Sequence, residues 1–245
     1  MYNYKLTLQY DGGRYKGWQR LGDHENTIQE KLSRVLAEYS GEEMEVIGCS
    51  RTDAGVHAIG QIANVKLKKQ VQPRELMEYL NHYLPQDISV VDAEAVSESF
   101  HARYLAKQKT YRYQIWNRAY PNPFQRKYSM QVAEPLELSA MIEAAKYFIG
   151  THDFTAFSNA KSKKKSMVRT IYSIEITPDE GMLQIRICGD GFLYNMVRKM
   201  VGVLIEIGLG KLPGDAVSEL LRTGDRGGIH VLAEAQGLFL EKIEY

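Results

Sequence analysis

The chain has 245 residues, 44% of them hydrophobic and 25% charged, and its 31 basic and 30 acidic residues leave a net charge of +1. That is the make-up of a globular chain with room for one large core or two ordinary ones, and it excludes a disordered, fibrous or uniformly basic nucleic-acid-binding protein. Two cysteines, Cys49 and Cys188, each in an apolar run, exclude a disulfide framework and a cysteine zinc site and read as buried, reduced thiols. No signal-peptide pattern opens the sequence. The longest apolar segment, Met196 to Leu209, is broken by Arg198, Lys199 and Glu206 and is too short to span a bilayer, so a cytoplasmic protein without membrane contact is expected.

Tyr4, Leu6, Leu8 and Tyr10 alternate with Lys5, Thr7 and Gln9, the period of a half-buried strand that ends at the Asp11-Gly12-Gly13 turn. Thr27-Ile28-Gln29-Glu30 is a capping box. It opens a helix whose Ile28, Leu32, Val35, Leu36 and Tyr39 share a face and which stops before Gly41. Apolar residues then run up to Cys49 and resume at Ile62, predicting two strands joined by Ser50-Arg51-Thr52-Asp53-Ala54-Gly55-Val56-His57-Ala58. Pro73 starts a second helix with Leu76, Tyr79, Leu80 and Tyr83 turned inward, closed by Leu84-Pro85 ahead of the strand Ile88 to Val91. The order β-α-β-β-α-β is that of a ferredoxin-like unit.

The second half repeats this order without repeating the sequence. Tyr111, Tyr113 and Ile115 mark a strand, Ser139 to Ile149 a helix with Gly150 just past its end, and Tyr172 to Ile176 and Leu183 to Ile187 a pair of strands. Leu193 to Ile207 reads as a mostly buried helix, Pro213 to Leu221 as a short one, and Leu238 to Tyr245 as a closing strand. The expected fold is therefore α+β, with two ferredoxin-like halves of mostly antiparallel sheet, residues 1–105 and 106–245. Met130, Met141, Met196 and Met200 read as core filling. Gly189-Asp190-Gly191 is not a dinucleotide turn, because Tyr194 stands where the third glycine belongs.

Charge is unevenly spread. From His101 to Ala133 there is no acid, while Arg103, Lys107, Lys109, Arg112, Arg118, Arg126 and Lys127 interleave with Tyr104, Tyr111, Tyr113, Trp116, Tyr120, Phe124 and Tyr128. Stacking faces beside phosphate partners are what single-stranded RNA needs. Lys161, Lys163, Lys164, Lys165 and Arg169 form a second basic stretch, which reads equally as a solvated face. The Asp53 loop has the look of a site, since loops between strands are where scaffolds carry chemistry, and Arg51 is placed to pair with Asp53 and lower its pKa. By spacing alone it is also an ordinary Arg/Asp turn. His57 in the same loop reads as a hydrogen-bonded structural histidine.

Arg51-Thr52-Asp53-Ala54-Gly55-Val56-His57-Ala58 resembles the signature of the tRNA pseudouridine synthase A family. Further blocks similar to that family follow in its order: Tyr10-Asp11-Gly12 with Gly17-Trp18-Gln19, Asn81 to Val90, Phe100 to Tyr113, Gly150 to Ser158, Gly189 to Gly202, and Gly237-Leu238. Ser50 and Glu234 depart from the family pattern, which more often has Gly and Pro there. The resemblance implies that the sheets of the two halves are joined side by side with an active-site cleft between them. It implies Asp53 as catalytic nucleophile, Tyr111 against the target base with a part in proton transfer, and Arg198 paired with the Asp across the cleft. Arg51 and Leu238 would touch substrate, as would the cluster Lys161, Lys163, Lys164 and Lys165.

The implied reaction is conversion of uridine to pseudouridine in the anticodon stem-loop of tRNA, at positions 38, 39 and 40, by a homodimer that needs neither metal nor cofactor. Two other readings stand beside it. Ferredoxin-like sheets with exposed aromatics also bind RNA without altering it. A carboxylate-dependent hydrolase would need a second acid, which the matched motifs do not supply.

Overall fold

The computed structural model describes residues 1–20, 22, 26–159 and 166–245. Contacts divide the chain into two compact units, one of Met1–Lys107 with Phe239–Tyr245 and one of Gln108–Leu238.

In the first unit the β-α-β-β-α-β order appears as β1 (Tyr2–Tyr10), α1 (Ile28–Ser40), β2 (Val46–Gly48), β3 (His57–Leu67), α2 (Pro73–Tyr83) and β4 (Ile88–Val96). β1 lies antiparallel between β3 and β4, with a register shift between Leu8 and Tyr10 against β3. Its alternation is realised: Tyr4, Leu6, Leu8 and Tyr10 are buried. The Thr27 side chain accepts the Glu30 N–H at 3.3 Å to cap α1, and Gly41 ends it at φ 78. Ile28, Leu32, Val35 and Leu36 are buried on the inner face. Tyr83, expected inside, is instead exposed. It continues a row in which Tyr39 and Tyr79 lie 4.7 Å apart and Tyr79 and Tyr83 4.6 Å apart along the rim of the two helices.

The closing strand β10 (Leu238–Glu244) pairs parallel with β3, Phe239 opposite His57 and Leu240 opposite Ala58. β2 pairs antiparallel with β3 from Val46↔Val65 to Gly48↔Ala63. β1 fills one edge of β3, so β2 and β10 share the other, one at each end of the strand. The sequence reading runs the second half to residue 245. The last seven residues cluster with the first unit because β10 hydrogen-bonds β3, a pairing that no local pattern encodes.

The second unit contains β5 (Gln108–Trp116), β6 (Met130–Gln131), α3 (Leu138–Ala145), β7 (Gly150–Asp153), β8 (Val168–Asp179), β9 (Met182–Gly189), α4 (Met196–Gly208) and α5 (Ala216–Thr223). Its strands lie in the order β5-β9-β8-β7, antiparallel throughout, with β6 parallel to β5. In chain order β5, α3, β8, β9, α4 and β10 repeat the ferredoxin-like sequence of elements, with β6, β7 and α5 inserted. The helix expected through Ile149 ends earlier: α3 tightens into a 3-10 turn at Lys146–Phe148, and Gly150, at φ 109, opens β7 rather than capping a helix. α4 is buried along almost its whole length, as its apolar run requires. Met141, Met196 and Met200 are core, while Met130 is only partly buried on β6. Cys49 is buried; Cys188 is half-buried, its thiol donating to Gln108 Oε1 at 3.4 Å.

Candidate active site

The Asp53 loop sits between β2 and β3 and is strapped down by the segment that follows β1. Trp18 N–H donates to Thr52 O at 3.0 Å, Gly55 N–H to Tyr15 O at 3.3 Å, and Val56 N–H to Asp53 O at 3.1 Å, closing a turn on the aspartate itself. Tyr10 Oη and Thr52 Oγ1 share a bond of 2.8 Å. Gln61, fully buried on β3, holds the near side: Ser50 N–H donates to its Oε1 at 3.2 Å, and its Nε2 donates to Ser50 O at 2.7 Å. Two glycines make the strap possible. A Cβ on Gly12 would stand 1.9 Å from Val56 O, and one on Gly17, whose φ is 97, would stand 2.5 Å from Thr52 O.

The loop is thereby fixed while its chemistry stays open. Thr52, Val56 and His57 are buried, Asp53 is partly exposed, and Arg51 and Ala54 face solvent. His57 is the structural residue that the sequence suggests: its Nδ1 accepts the Gly12 N–H at 3.0 Å and lies 3.1 Å from Asp11 Oδ1, and its ring stacks on Phe239 at 4.8 Å. A carboxylate on a rigid, half-buried loop can act as nucleophile or base without first reorganising its backbone.

In the second unit, Tyr111 on β5 is 8% exposed, with the ring of Phe192 edge-on at 5.1 Å and an interplanar angle of 82°. Arg198 lies in the first turn of α4 and is part-buried. Its Nε donates to Ala233 O at 2.6 Å and one terminal nitrogen to Asn195 Oδ1 at 3.3 Å. These bonds hold the guanidinium at two of its five N–H groups. Asn195 itself takes φ 62, a left-handed conformation uncommon for a residue with a side chain, in the turn that feeds Arg198 into the helix. Tyr113, next along the inner face of β5, is fully buried and donates to Glu234 O at 2.8 Å, which ties down the segment ahead of β10. Leu238 is 5% exposed at the start of that strand.

Asp53 and Arg51 thus belong to the first unit, and Tyr111 and Arg198 to the second. The cluster Lys161, Lys163, Lys164 and Lys165 lies outside the described residues. Sequence reasoning passed over Gln61, Phe192 and Asn195's backbone. For the strap a signal existed: Tyr10-Asp11-Gly12 and Gly17-Trp18 stand among the motif blocks, yet nothing in their spacing says that they cross the Asp53 loop. Lys199, also unassigned, is buried and donates to Ala156 O at 3.2 Å; burial and the Arg226 charge push its pKa down. Among the described residues no helix is long and apolar enough to cross a membrane.

The chain matches the family described as tRNA pseudouridine synthase over residues 7–105 and 144–245. It is 57% identical over 245 residues, the whole of both chains, to the tRNA pseudouridine synthase A 2 of Bacillus anthracis. Over the same full length it is 57% identical to the tRNA pseudouridine synthase A of Bacillus sp. (strain KSM-64) and 45% identical to that of Thermoanaerobacter sp. (strain X514).

Proposed function

The chain belongs to the tRNA pseudouridine synthase family, and from that premise we propose how its residues divide the work of isomerising uridine to pseudouridine. The reaction breaks the N1–C1′ bond, turns the uracil and joins C5 to C1′; the hydrogen on C5 leaves as a proton and N1 gains one. Nothing is oxidised or hydrolysed. A single carboxylate is enough, because it can attack C1′ or assist loss of a sugar proton and is regenerated in either case.

Asp53 is that carboxylate. The observation that carries the assignment is the strap: a loop bonded at Thr52, Asp53 and Gly55 and backed by Gln61 holds the one acid of the motif half-exposed on a fixed backbone. Tyr111, rigid against Phe192, supplies the face on which the detached uracil turns and takes part in moving its proton. Arg198, held by Ala233 and Asn195, balances the carboxylate charge as it forms and departs. Arg51 and the lysines at 161, 163, 164 and 165 bind RNA phosphate, and Leu238 packs on the base. The substrate is tRNA, the target uridines are those at positions 38, 39 and 40 of the anticodon stem-loop, and the enzyme works as a homodimer in the cytoplasm without a cofactor.

The test is a modification map. Unmodified tRNA with uridine at each of those three positions is incubated with the protein alone in buffer containing a chelator, and pseudouridine is located by sequencing. Modification at 38 to 40 supports the assignment; modification elsewhere corrects the target, and none at any position rejects the activity.

A further inference from the structure

Close to the Asp53 loop, in the same unit, lies a short turn at the start of the basic and aromatic stretch that begins at His101. The chain from Phe100 to Ala102 is anchored to the sheet: Asn3 Nδ2 donates to Phe100 O at 2.9 Å, Ala102 N–H to Asn64 Oδ1 at 2.9 Å, and Tyr245 Oη to Ala102 O at 2.7 Å. Ala102 is fully buried in a cluster with Cys49 and Ile62. Cys49 precedes Arg51 by two residues and Ala102 precedes Arg103 by one, so this packing sets the turn beside the loop.

From that anchor residues 101–105 turn outward. Leu105 N–H donates to His101 O at 3.2 Å, and His101 Nδ1 accepts the N–H groups of both Arg103 and Tyr104 at 3.2 Å. The Tyr104 ring stacks on His101 at 4.1 Å and 27°, and still the residue is 78% exposed. An aromatic side chain is thus held flat by a ring behind it while its outer face meets water. Exposed Arg103 and Arg51 stand near it, and among the described residues neither guanidinium has a hydrogen-bond or ion-pair acceptor. Partial desolvation and the Arg103 charge hold the Arg51 guanidinium below its usual value. Two cations that repel each other beside a braced aromatic face suit a phosphate and a base better than a protein surface.

We propose that Arg51, Arg103 and the His101–Tyr104 stack form a nucleotide-binding platform in which the two guanidiniums hold an RNA phosphate and Tyr104 stacks under an unpaired base. The platform rests on the isomerase reading only for its ligand being tRNA, and it adds a base contact that the lysine cluster and Arg51 alone do not provide.

Equilibrium binding of full-length tRNA, measured by filter retention over a series of salt concentrations, decides it. Tyr104→Ala raises Kd about tenfold, as expected for loss of one base stack, and KM rises with it; Tyr104→Phe, which keeps the ring, restores both. Arg103→Ala lowers the slope of log Kd against log salt by about 0.7 to 0.9, one phosphate contact. Both side chains are exposed, so melting temperatures serve as the folding control. Unchanged Kd and salt slope in Tyr104→Ala and Arg103→Ala would overturn the platform, as would variants that alter only the sedimenting mass, which would make the turn a contact between copies of the chain. Wild type that binds tRNA but releases no tritium from its uracil C5 would reject the isomerase reading; the binding series would then still decide the platform.

Discussion

Substituting Gly17 tests whether the strap, rather than the Asp53 loop alone, sets the position of the carboxylate. The alanine Cβ would stand 2.5 Å from Thr52 O and 3.0 Å from the carbonyl carbon of Asp53. Ordinary contact begins at 3.4 Å, so strap and loop must separate by about 0.9 Å, the difference between 3.4 and 2.5. Both atoms in the way are backbone and cannot rotate aside. A displacement of about 1 Å at a reacting group costs on the order of a hundredfold in rate, so kcat for Gly17→Ala falls roughly 30- to 100-fold.

The same substitution also forces a side chain into φ 97, which costs about 1 to 2 kcal/mol of stability on its own. Gly41→Ala is the control: Gly41 has φ 78, but nothing lies within 4 Å of the added atom, and it caps α1 away from the loop. It loses a comparable 1 to 2 kcal/mol, a drop of roughly 2 to 8 °C in Tm, and keeps its kcat. Tritium release under saturating tRNA, beside thermal melts of both variants, makes the comparison. Gly17→Ala with wild-type kcat and a melt like that of Gly41→Ala would refute the strap.

Gln61→Leu strips the partners from both backbone groups of Ser50 in a buried setting, at about 1 to 3 kcal/mol each, so a loss of about 2 to 6 kcal/mol should appear in urea unfolding; a loss under about 1 kcal/mol would mean that the loop is held elsewhere. Burial, reinforced by the Glu234 charge, raises the pKa of Tyr113 above its usual value. Its contribution to stability is therefore complete below about pH 10 and is lost as the pH climbs from there toward the raised value, by about 1.4 kcal/mol per pH unit. Tyr113→Phe should flatten the decline in stability between about pH 10 and 11.5 by that amount, and an unchanged slope would place the titration on another group. Replacing Lys161, Lys163, Lys164 and Lys165 together with Ala should raise KM and flatten the salt dependence by about 0.7 to 0.9 per phosphate contact removed; an unaltered slope would return them to a solvated face.

Local signals carried most of the first unit. Thr27 and Gly41 bracket α1 because a cap and a left-handed stop act within a few residues, and Pro73 opens α2 for the same reason. What stayed hidden depends on partners far along the chain. β6 has two residues and exists only through its pairing with β5. Gly150 carries the mark of a helix end, yet its positive φ opens β7. At the site, the residue types of the Asp53 motif were legible; the crossing of the strap was not, since it follows from Gly12 and Gly17 meeting backbone some 35 to 45 residues away.

If Asp53 is the carboxylate of the isomerisation, Asp53→Asn abolishes the reaction and leaves the fold in place. The amide keeps the size of the carboxylate and a share of its hydrogen bonding but is a very poor nucleophile. Joining C1′ to C5 must expel the C5 hydrogen by any covalent route, so release of tritium from tRNA labelled at uracil C5 reports the reaction itself. Asp53→Asn is expected to fold, to bind tRNA at least as tightly as wild type once a negative charge near the phosphates is gone, and to release no tritium above background. Release at the wild-type rate would remove Asp53 from the mechanism.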